Sequence, residues 1–238
     1  MDEATGKAPG NGAAVKDASG KEPSSKQKKD ASAKEKKAQI LAAATRLLTQ
    51  KGLQTFSFES VANEAGLSRQ LVRYYYADLD ELIVELCNFL GLRYQELLVA
   101  GIVKVGQVER LKFFLDFFFG VAEDHPMPDD LEAYDAFFAY SIGSDPLRDH
   151  LCRQYKTLGQ VVNHELAIAH PELDAHSCDE LSFLFVSMMH AHWSYVATLG
   201  YSSEHNKLTR RAFDRLIESY VREQPQVPSM KEPWARGK

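Results

Sequence analysis

The segment Ala65–Leu82, with the sequence AGLSRQLVRYYYADLDEL, concentrates long hydrogen-bonding side chains in a short stretch. Two arginines, a glutamine and three consecutive tyrosines follow an Ala-Gly-Leu turn. Arg forms bidentate hydrogen bonds with guanine, Gln pairs with adenine, and Tyr hydroxyls donate to phosphates. The composition is therefore typical of a surface that binds duplex DNA, provided that a helix presents these side chains together.

Serines and a glycine frame this segment as part of a helix-turn-helix unit. Ser57 is predicted to cap a helix over Phe58–Ala65, and Gly66 is predicted to end it. Ser68 then caps a further helix that reaches Tyr75. In such a unit the second helix lies in the DNA major groove, and both capped helix N-termini offer free N–H groups to phosphates.

Helical spacing separates the inward and outward side chains of the third predicted helix. Leu67 and Leu71 are expected to pack against the preceding helix, and Tyr76 is expected to fill the small core, whereas Tyr75 is expected to contact a phosphate. The alternative is an exposed polar helix whose aromatic residues are all buried. The predicted DNA-binding residues are Lys36, Lys37, Ser57, Phe58, Ser68, Arg69, Gln70, Arg73, Tyr74 and Tyr75.

The N-terminal residues 1–35 differ in composition from the rest of the chain. They are rich in Lys, Ala, Ser, Gly and Asp and lack aromatic residues, so we predict a disordered tail. Its lysines are available for phosphate contacts, or they only solvate the tail. Residues 1–82 hold 13 Lys and Arg against 11 Asp and Glu, a net charge of +2, whereas residues 83–238 have a net charge of −7. This mild asymmetry allows an anion-binding site in the N-terminal part and disfavours nucleic-acid binding along the rest of the chain.

Apolar residues recur at helical spacing along the remaining chain, and no alternating strand pattern of useful length occurs. Ile40, Ala44, Leu47 and Leu48 mark the inner side of a first helix that begins at Lys36 and ends at Gly52. The chain is therefore predicted to be all-α. The later helices are predicted from Asp78 to about Gly101, and over Gln107–His125, Leu131–Ile142, Pro146–Ala169, Cys178–Leu199 and Asn206–Glu223, with a capping box at Ser177–Glu180.

The stretch AQILAAATRLLTQKG…FSFESVANEAGLSRQLVRYYYADLDEL resembles the N-terminal domain of the tetracycline-repressor (TetR) family of bacterial regulators. The resemblance covers roughly residues 38–83. It is carried by the Ala-rich first helix ending in Lys51-Gly52, the Phe56-Ser57 entry, the VANEAGLS core and the Tyr75-Tyr76 pair. The sequence differs from the family pattern at Gln70, Arg73 and Leu79, so Arg73 and the tail lysines are expected to supply the charge.

The resemblance implies a helix-turn-helix DNA-binding domain over 36–82 and a C-terminal helical bundle over 83–223 for ligand sensing and dimerisation, flanked by tails at 1–35 and 224–238. It implies a cytoplasmic regulator, most often a repressor, that binds a palindromic DNA operator as a homodimer and responds to a small-molecule effector. We expect no cofactor, no metal and no membrane association. The last two long helices are the predicted dimer interface; alternatively, they only close the core of the monomer.

An effector requires a mostly apolar cavity between helices. The residues on helices that line such a cavity in the family are Phe89, Arg93, Phe114, Phe118, Phe137, Tyr140 and Trp193. The segment Ala133–Leu158 also resembles the regulatory domain of betaine-pathway repressors, which respond to choline. Tyr and Trp rings could enclose such a quaternary ammonium, although the same rings serve ordinary packing.

Two other functional classes compete with a DNA-binding regulator: a helical enzyme and a helical adaptor. The stretch HELAIAH, from His164 to His170, lacks the zinc-protease spacing, because the fourth residue after His164 is Ile168. His190 and His192 lie two residues apart, on nearly opposite sides of a helix, and cannot chelate one ion together. An adaptor would not need the basic, Tyr-rich third helix. The three cysteines are distant from one another and are expected to be reduced thiols of an intracellular protein.

Overall fold

The protein is described here from a computed structural model that covers residues 25–106, 109–226 and 233–234. All regular structure within these ranges is helical. The helices are α1 Ser25–Lys51, α2 Phe58–Ala65, α3 Arg69–Tyr75, α4 Leu79–Val105, α5 Arg110–Phe118, α6 Glu132–Ser141, α7 Asp145–Ala169, α8 Ala175–Trp193, a short π-helix Ser194–Thr198, and α9 Glu204–Glu223. The all-α prediction is confirmed.

Two compact units divide the chain at residues 36 and 37. The described part of the first unit is helical from Ser25, whereas the sequence predicted a disordered tail up to residue 35. The prediction is therefore wrong for residues 25–35, and residues 1–24 lie outside the described ranges. The physical reason is composition, since Lys, Ala, Glu and Gln favour helix without needing buried apolar partners.

The second unit begins with the three helices of the predicted helix-turn-helix domain. The stripe Ile40, Ala44, Leu47 and Leu48 on α1 is buried, with at most 3% of each residue exposed. The α2 helix opens with a capping box, in which the Ser57 side chain accepts from the backbone of residue 60 and the side chain there accepts from the backbone of Ser57. These local interactions fix the start of the helix-turn-helix unit as predicted.

The long helix α4 is the scaffold to which α5, α6 and α7 pack. It continues to Val105, beyond the predicted end near Gly101, because Gly101 leaves space for the Phe113 ring rather than ending the helix. By length and composition alone α4 could cross a membrane, as could core helices of other proteins, and it is the one such helix among the described residues. In this fold Leu82, Leu86 and Leu90 are buried in the protein core.

The aromatic helix α5 is shorter than predicted. The sequence predicted a helix over 107–125, but α5 ends at Phe118, and Gly120 follows with a φ of 67°. Residues 107 and 108 lie outside the described ranges. Phe114, Phe117 and Phe118 are at least 95% buried, so α5 is central to the core.

The N-caps of α7 and α8 differ from the predicted ones. Ser144, rather than Asp145, caps α7 by accepting a hydrogen bond from the backbone N–H of Leu147. Asp174 caps α8 by accepting from the backbone N–H of Ser177, so the predicted capping box at Ser177 is wrong. The reason is that a competent cap stands three residues before Ser177, and the helix begins at the earlier one.

Burial lowers the pKa of His150, His190 and His192 below the ordinary histidine value of 6.5. As the pH falls through 6.5, the unfolded chain therefore binds protons that the folded chain does not, and the free energy of unfolding decreases. We expect chemical denaturation to show lower stability at about pH 5.5 than at about pH 7.5. His192→Gln should reduce this difference, and His164→Gln, at an exposed position, should leave it unchanged. An equal stability difference between the two pH values in the wild-type protein and in both variants would contradict the prediction.

Candidate nucleic-acid interface and ligand cavity

The α3 helix presents one exposed row of polar side chains. Arg69, Gln70, Arg73 and Tyr74 are all exposed, and Tyr74 is 80% exposed despite its large ring. Positions 69 and 73, and positions 70 and 74, are one helical turn apart, so the four side chains share one side of the helix. This row, Arg69, Gln70, Arg73 and Tyr74, is called the α3 row below. It contains two guanidinium cations, an amide and a phenol, and it contains no carboxylate.

The opposite side of α3 fixes the row in place. Val72 has no exposed surface, Tyr76 is 1% exposed, and Leu67 packs against the same core. Gly66 in the left-handed conformation turns the chain between α2 and α3, and the N–H of Leu67 donates to the carbonyl of Ala62 at 2.9 Å. The predicted inward residue Leu71 is partly buried but is not among the residues that pack against this core, whereas the expectation that Tyr76 is core holds.

The other predicted DNA-binding residues lie beside α3 or on α1. The Arg73 guanidinium lies 5.8 Å from the centre of the Phe58 ring, and the Lys37 ammonium lies 5.1 Å from the centre of the Tyr76 ring. Ser57 and Ser68 both act as N-caps. Tyr75 is partly buried and meets the Tyr74 ring edge-on, with 5.2 Å between the ring centres.

Lys36 is partly buried and lies in the first compact unit. It therefore belongs to a different unit from the other predicted residues.

A cavity of about 510 Å³ lies among α4, α5, α6, α7 and α8. Phe114, Phe118 and Trp193, three of the predicted ligand-binding residues, line it. Its walls are mostly apolar, and the polar groups include the amides of Asn88 and Gln95. Sequence reasoning missed the lining residues Tyr94, Tyr134, His150, Arg153, Gln154 and Tyr155.

The aromatic residues at this cavity already contact one another. Trp193 stacks with Tyr94 and Phe118, at ring-centre distances of 5.9 and 6.1 Å, and meets Tyr134 edge-on at 5.9 Å. The indole N–H of Trp193 donates to the carbonyl of Phe118 at 2.8 Å. The rings therefore form a packed wall of the cavity, which a ligand would meet from one side.

Four predicted ligand-binding residues do not line this cavity. Phe137 is completely buried, Phe89 packs against the core, and Arg93 donates to Asp130 at 2.6 Å. Tyr140 lies near the C-terminal end of α6, and its hydroxyl donates to the Asp80 carboxylate, in the first turn of α4, at 2.8 Å. The sequence indicates which helix carries each residue, but it does not indicate which side of α4 or α6 faces the cavity.

Histidines of α8 form separate polar contacts on the two sides of that helix. His190 Nδ1 lies 3.1 Å from the hydroxyl of Tyr155, and His192 Nε2 lies 2.9 Å from the side-chain oxygen of Asn206. Burial lowers the pKa of His190, and Asp135 partly opposes this effect. Among the described residues no group of three or more His, Cys, Asp and Glu side chains is placed to hold a metal ion.

Large apolar side chains are exposed where α8 ends and α9 begins. Tyr195, Leu199, Tyr201 and Leu208 are each 54–63% exposed. These four residues are called the α8–α9 face below. Phe183, earlier in α8, is 43% exposed and instead contacts Trp234, whose ring centre lies 5.3 Å away. The predicted flexible tail thus has one packed residue, and residues 227–232 and 235–238 lie outside the described ranges.

Residues 40–86 match the family model described as bacterial regulatory proteins, tetR family. This match covers α2 and α3 and parts of α1 and α4. No curated protein sequence matches the chain. The independent match agrees with the resemblance found in the sequence, which extended over nearly the same residues.

Solved structures of regulators share the fold of most of the chain. A TetR transcription regulator from Haloarcula marismortui is 17% identical and superposes with a TM-score of 0.66, covering 78% of this chain and 98% of that one. A transcriptional regulator from Rhodococcus is 16% identical, with a TM-score of 0.62 and coverage of 79% and 96%. A Saccharomonospora viridis protein solved in complex with choline is 18% identical, with a TM-score of 0.65 and coverage of 78% and 96%.

Proposed function

The chain belongs to the TetR family of bacterial regulatory proteins, and we propose that it is a homodimeric repressor that a small molecule releases from its operator. DNA binding by a helix-turn-helix domain follows from the family. The repressor role, the dimer, the effector and the individual contact residues are the proposed part. The observation that carries the proposal is the α3 row, which is exposed and acid-free and is fixed from behind by Val72 and Tyr76.

We assign base recognition to three residues of the α3 row, and phosphate contacts to Tyr74 and to residues beside the row. Arg69, Gln70 and Arg73 have the donors that recognise guanine and adenine edges in the major groove. The hydroxyls of Tyr74 and Tyr75, and Lys37 on α1, suit phosphate oxygens. Arg73 is stabilised by the neighbouring Phe58 ring, so its guanidinium is partly ordered before DNA binds.

The α8–α9 face supports the proposed dimer. Exposed apolar patches of this kind mark interaction sites. A two-fold symmetric pair would bury Tyr195, Leu199, Tyr201 and Leu208 in a four-helix interface and would present two α3 helices to one duplex. Such a regulator would act in the cytoplasm, where the bacterial chromosome lies.

The cavity supports the proposed effector site, and α6 offers a physical connection to the DNA-binding domain. At one end of α6, Tyr134 lines the cavity; at the other, Tyr140 binds Asp80 in the first turn of α4. Burial and this hydrogen bond raise the pKa of Tyr140 to about 12, so its hydroxyl remains a donor. A ligand that displaces α6 would therefore move the start of α4, which follows α3 directly.

The connection predicts energetic coupling between Tyr140 and Asp80. Tyr140→Phe should lower operator affinity by about fivefold, because the hydrogen bond that positions α4 contributes about 1 kcal/mol. Asp80→Asn should lower operator affinity by a similar factor. The double variant should lower operator affinity no more than either single variant does. A double-mutant cycle in DNA binding measures this. Additive losses would contradict the coupling.

Salt dependence of duplex binding tests the function against the enzyme and adaptor alternatives. Binding of the full chain to duplex DNA from upstream of its own gene should weaken steeply as salt rises, because phosphate contacts release counterions. Lys37→Gln, which removes a proposed phosphate contact, should reduce the slope, whereas Lys112→Gln, on α5, should not. No binding at low ionic strength would contradict the proposal.

A further inference from the structure

The polar groups of the cavity point to the chemical class of its ligand. We propose that the cavity binds an amphipathic carboxylic acid, with the apolar body against Phe114, Phe118 and Trp193 and the carboxylate at Arg153 and His150. This inference rests on the proposed function of the cavity as the effector site, and it specifies the effector.

The charge of the lining favours an anion. Among the described residues that line the cavity, none is an Asp or a Glu, and Arg153 carries the permanent charge. A cationic ligand would lose its hydration without gaining a carboxylate partner, and Arg153 would repel it. A carboxylate would instead find a guanidinium, whose paired N–H donors match its two oxygens.

The helix α7 places these donors on the side that faces the cavity. His150, Arg153, Gln154 and Thr157 all line the cavity, at spacings of three, four and seven residues from His150, and thus share one side of α7. Arg153 and Thr157 are exposed, whereas His150 and Gln154 are partly buried, so the polar strip runs inward from the surface. An acid group can therefore stay near solvent while its body enters the cavity.

Two hydrogen-bonding groups of this strip differ in how fully they are used. The Nε2 atom of His150 is buried and has no hydrogen-bond partner among the described residues. The amide of Gln154 already contacts the Cys87 thiol, with 3.8 Å between sulfur and oxygen. The unused donor capacity thus lies at His150, three residues from the guanidinium. Burial and Arg153 lower the pKa of His150, and the Glu85 carboxylate partly opposes this effect. A bound carboxylate would also favour the imidazolium.

The aromatic wall is unsuited to enclose a quaternary ammonium. An aromatic cage holds the cation at the faces of several rings. Here Trp193 stacks with Tyr94 and with Phe118, at ring-centre distances of 5.9 and 6.1 Å, so the indole is engaged within the wall. The wall therefore offers apolar surface to the body of a ligand, and choline binding by the Saccharomonospora viridis protein does not transfer to this lining.

Ligands that differ only in their head group test the inference. The chain has two tryptophans, so Trp234→Phe leaves Trp193, at the cavity, as the sole fluorescent indole. Quenching of this fluorescence gives the affinity for octanoate, octanamide and octyltrimethylammonium, for the three corresponding phenylbutyl compounds, and for choline. The carboxylates should bind about tenfold more tightly than the amides of the same tail. Arg153→Gln should abolish this preference, and Lys156→Gln, exposed on the same helix, should preserve it.

The outcomes separate the ligand class from the effector role. Equal or tighter binding of an amide, a trimethylammonium compound or choline would overturn the carboxylic-acid inference and leave the effector cavity standing. Carboxylate binding that leaves duplex affinity unchanged would support the ligand class and contradict the effector role. Failure of every compound to bind would overturn both.

Discussion

Leu208→Glu is expected to make the protein monomeric and to weaken its binding to a two-site operator by about a hundredfold. Leu208 lies on α9 and is 54% exposed within the α8–α9 face. Glutamate costs little stability in the monomer because the position is open to solvent. In the dimer, however, it would place a desolvated carboxylate in an apolar interface. Loss of the dimer leaves each α3 helix to bind its half-site alone, without the gain from bivalent binding.

Analytical ultracentrifugation gives the mass of the variant, and a mobility-shift titration gives its DNA affinity. Val103→Glu is the matched control, because Val103 is also an exposed apolar residue, 77% exposed, but lies on α4 outside the α8–α9 face. The control should remain dimeric. A dimeric Leu208→Glu protein with unchanged DNA affinity would contradict the assignment of the interface.

Arg73→Ala is expected to cost about 1–3 kcal/mol of specific binding per half-site, and much less of nonspecific binding. The reason is that Arg73 is exposed in the α3 row and can form two hydrogen bonds with a guanine edge. Affinities for the operator and for a scrambled duplex of equal length measure the two effects. Lys51→Ala, exposed at the end of α1, is the control for charge alone.

Equal losses on the two duplexes would make Arg73 a phosphate contact rather than a base contact. An unchanged affinity would remove Arg73 from the interface. The two predictions address different parts of the molecule, since Arg73 lies in the DNA-binding domain and Leu208 in the C-terminal bundle. A combined variant should therefore lose both contributions.

Local signals in the sequence predicted the helix-turn-helix elements closely. Ser57, Gly66 and Ser68 act within one helical turn of their own positions, so α2 and α3 begin and end where the sequence indicates. The inward side of α3 was less predictable. Leu67 precedes the N-cap and lies outside the helix, so helical spacing counted from it wrongly selected Leu71 instead of Val72.

The cavity depends on interactions that a single sequence does not reveal. Phe114, Phe118 and Phe137 are alike as residue types, yet only the first two line the cavity, because the rotation of α5 and α6 against α4 decides which side faces it. The polar strip of α7 was missed because His150 and Arg153 have no local signal. Tyr140 was assigned to ligand but binds Asp80, sixty residues away in sequence.

Selection of duplexes from a random-sequence library by the full chain tests the central claim most directly. If two symmetric copies of α3 bind one duplex, the selection should enrich an inverted repeat whose half-sites lie about 34 Å, or one DNA turn, apart. The enriched motif should change at a guanine position with Arg73→Ala. Failure to enrich any motif, or enrichment of a motif that Arg69, Gln70 and Arg73 variants leave unchanged, would contradict that claim.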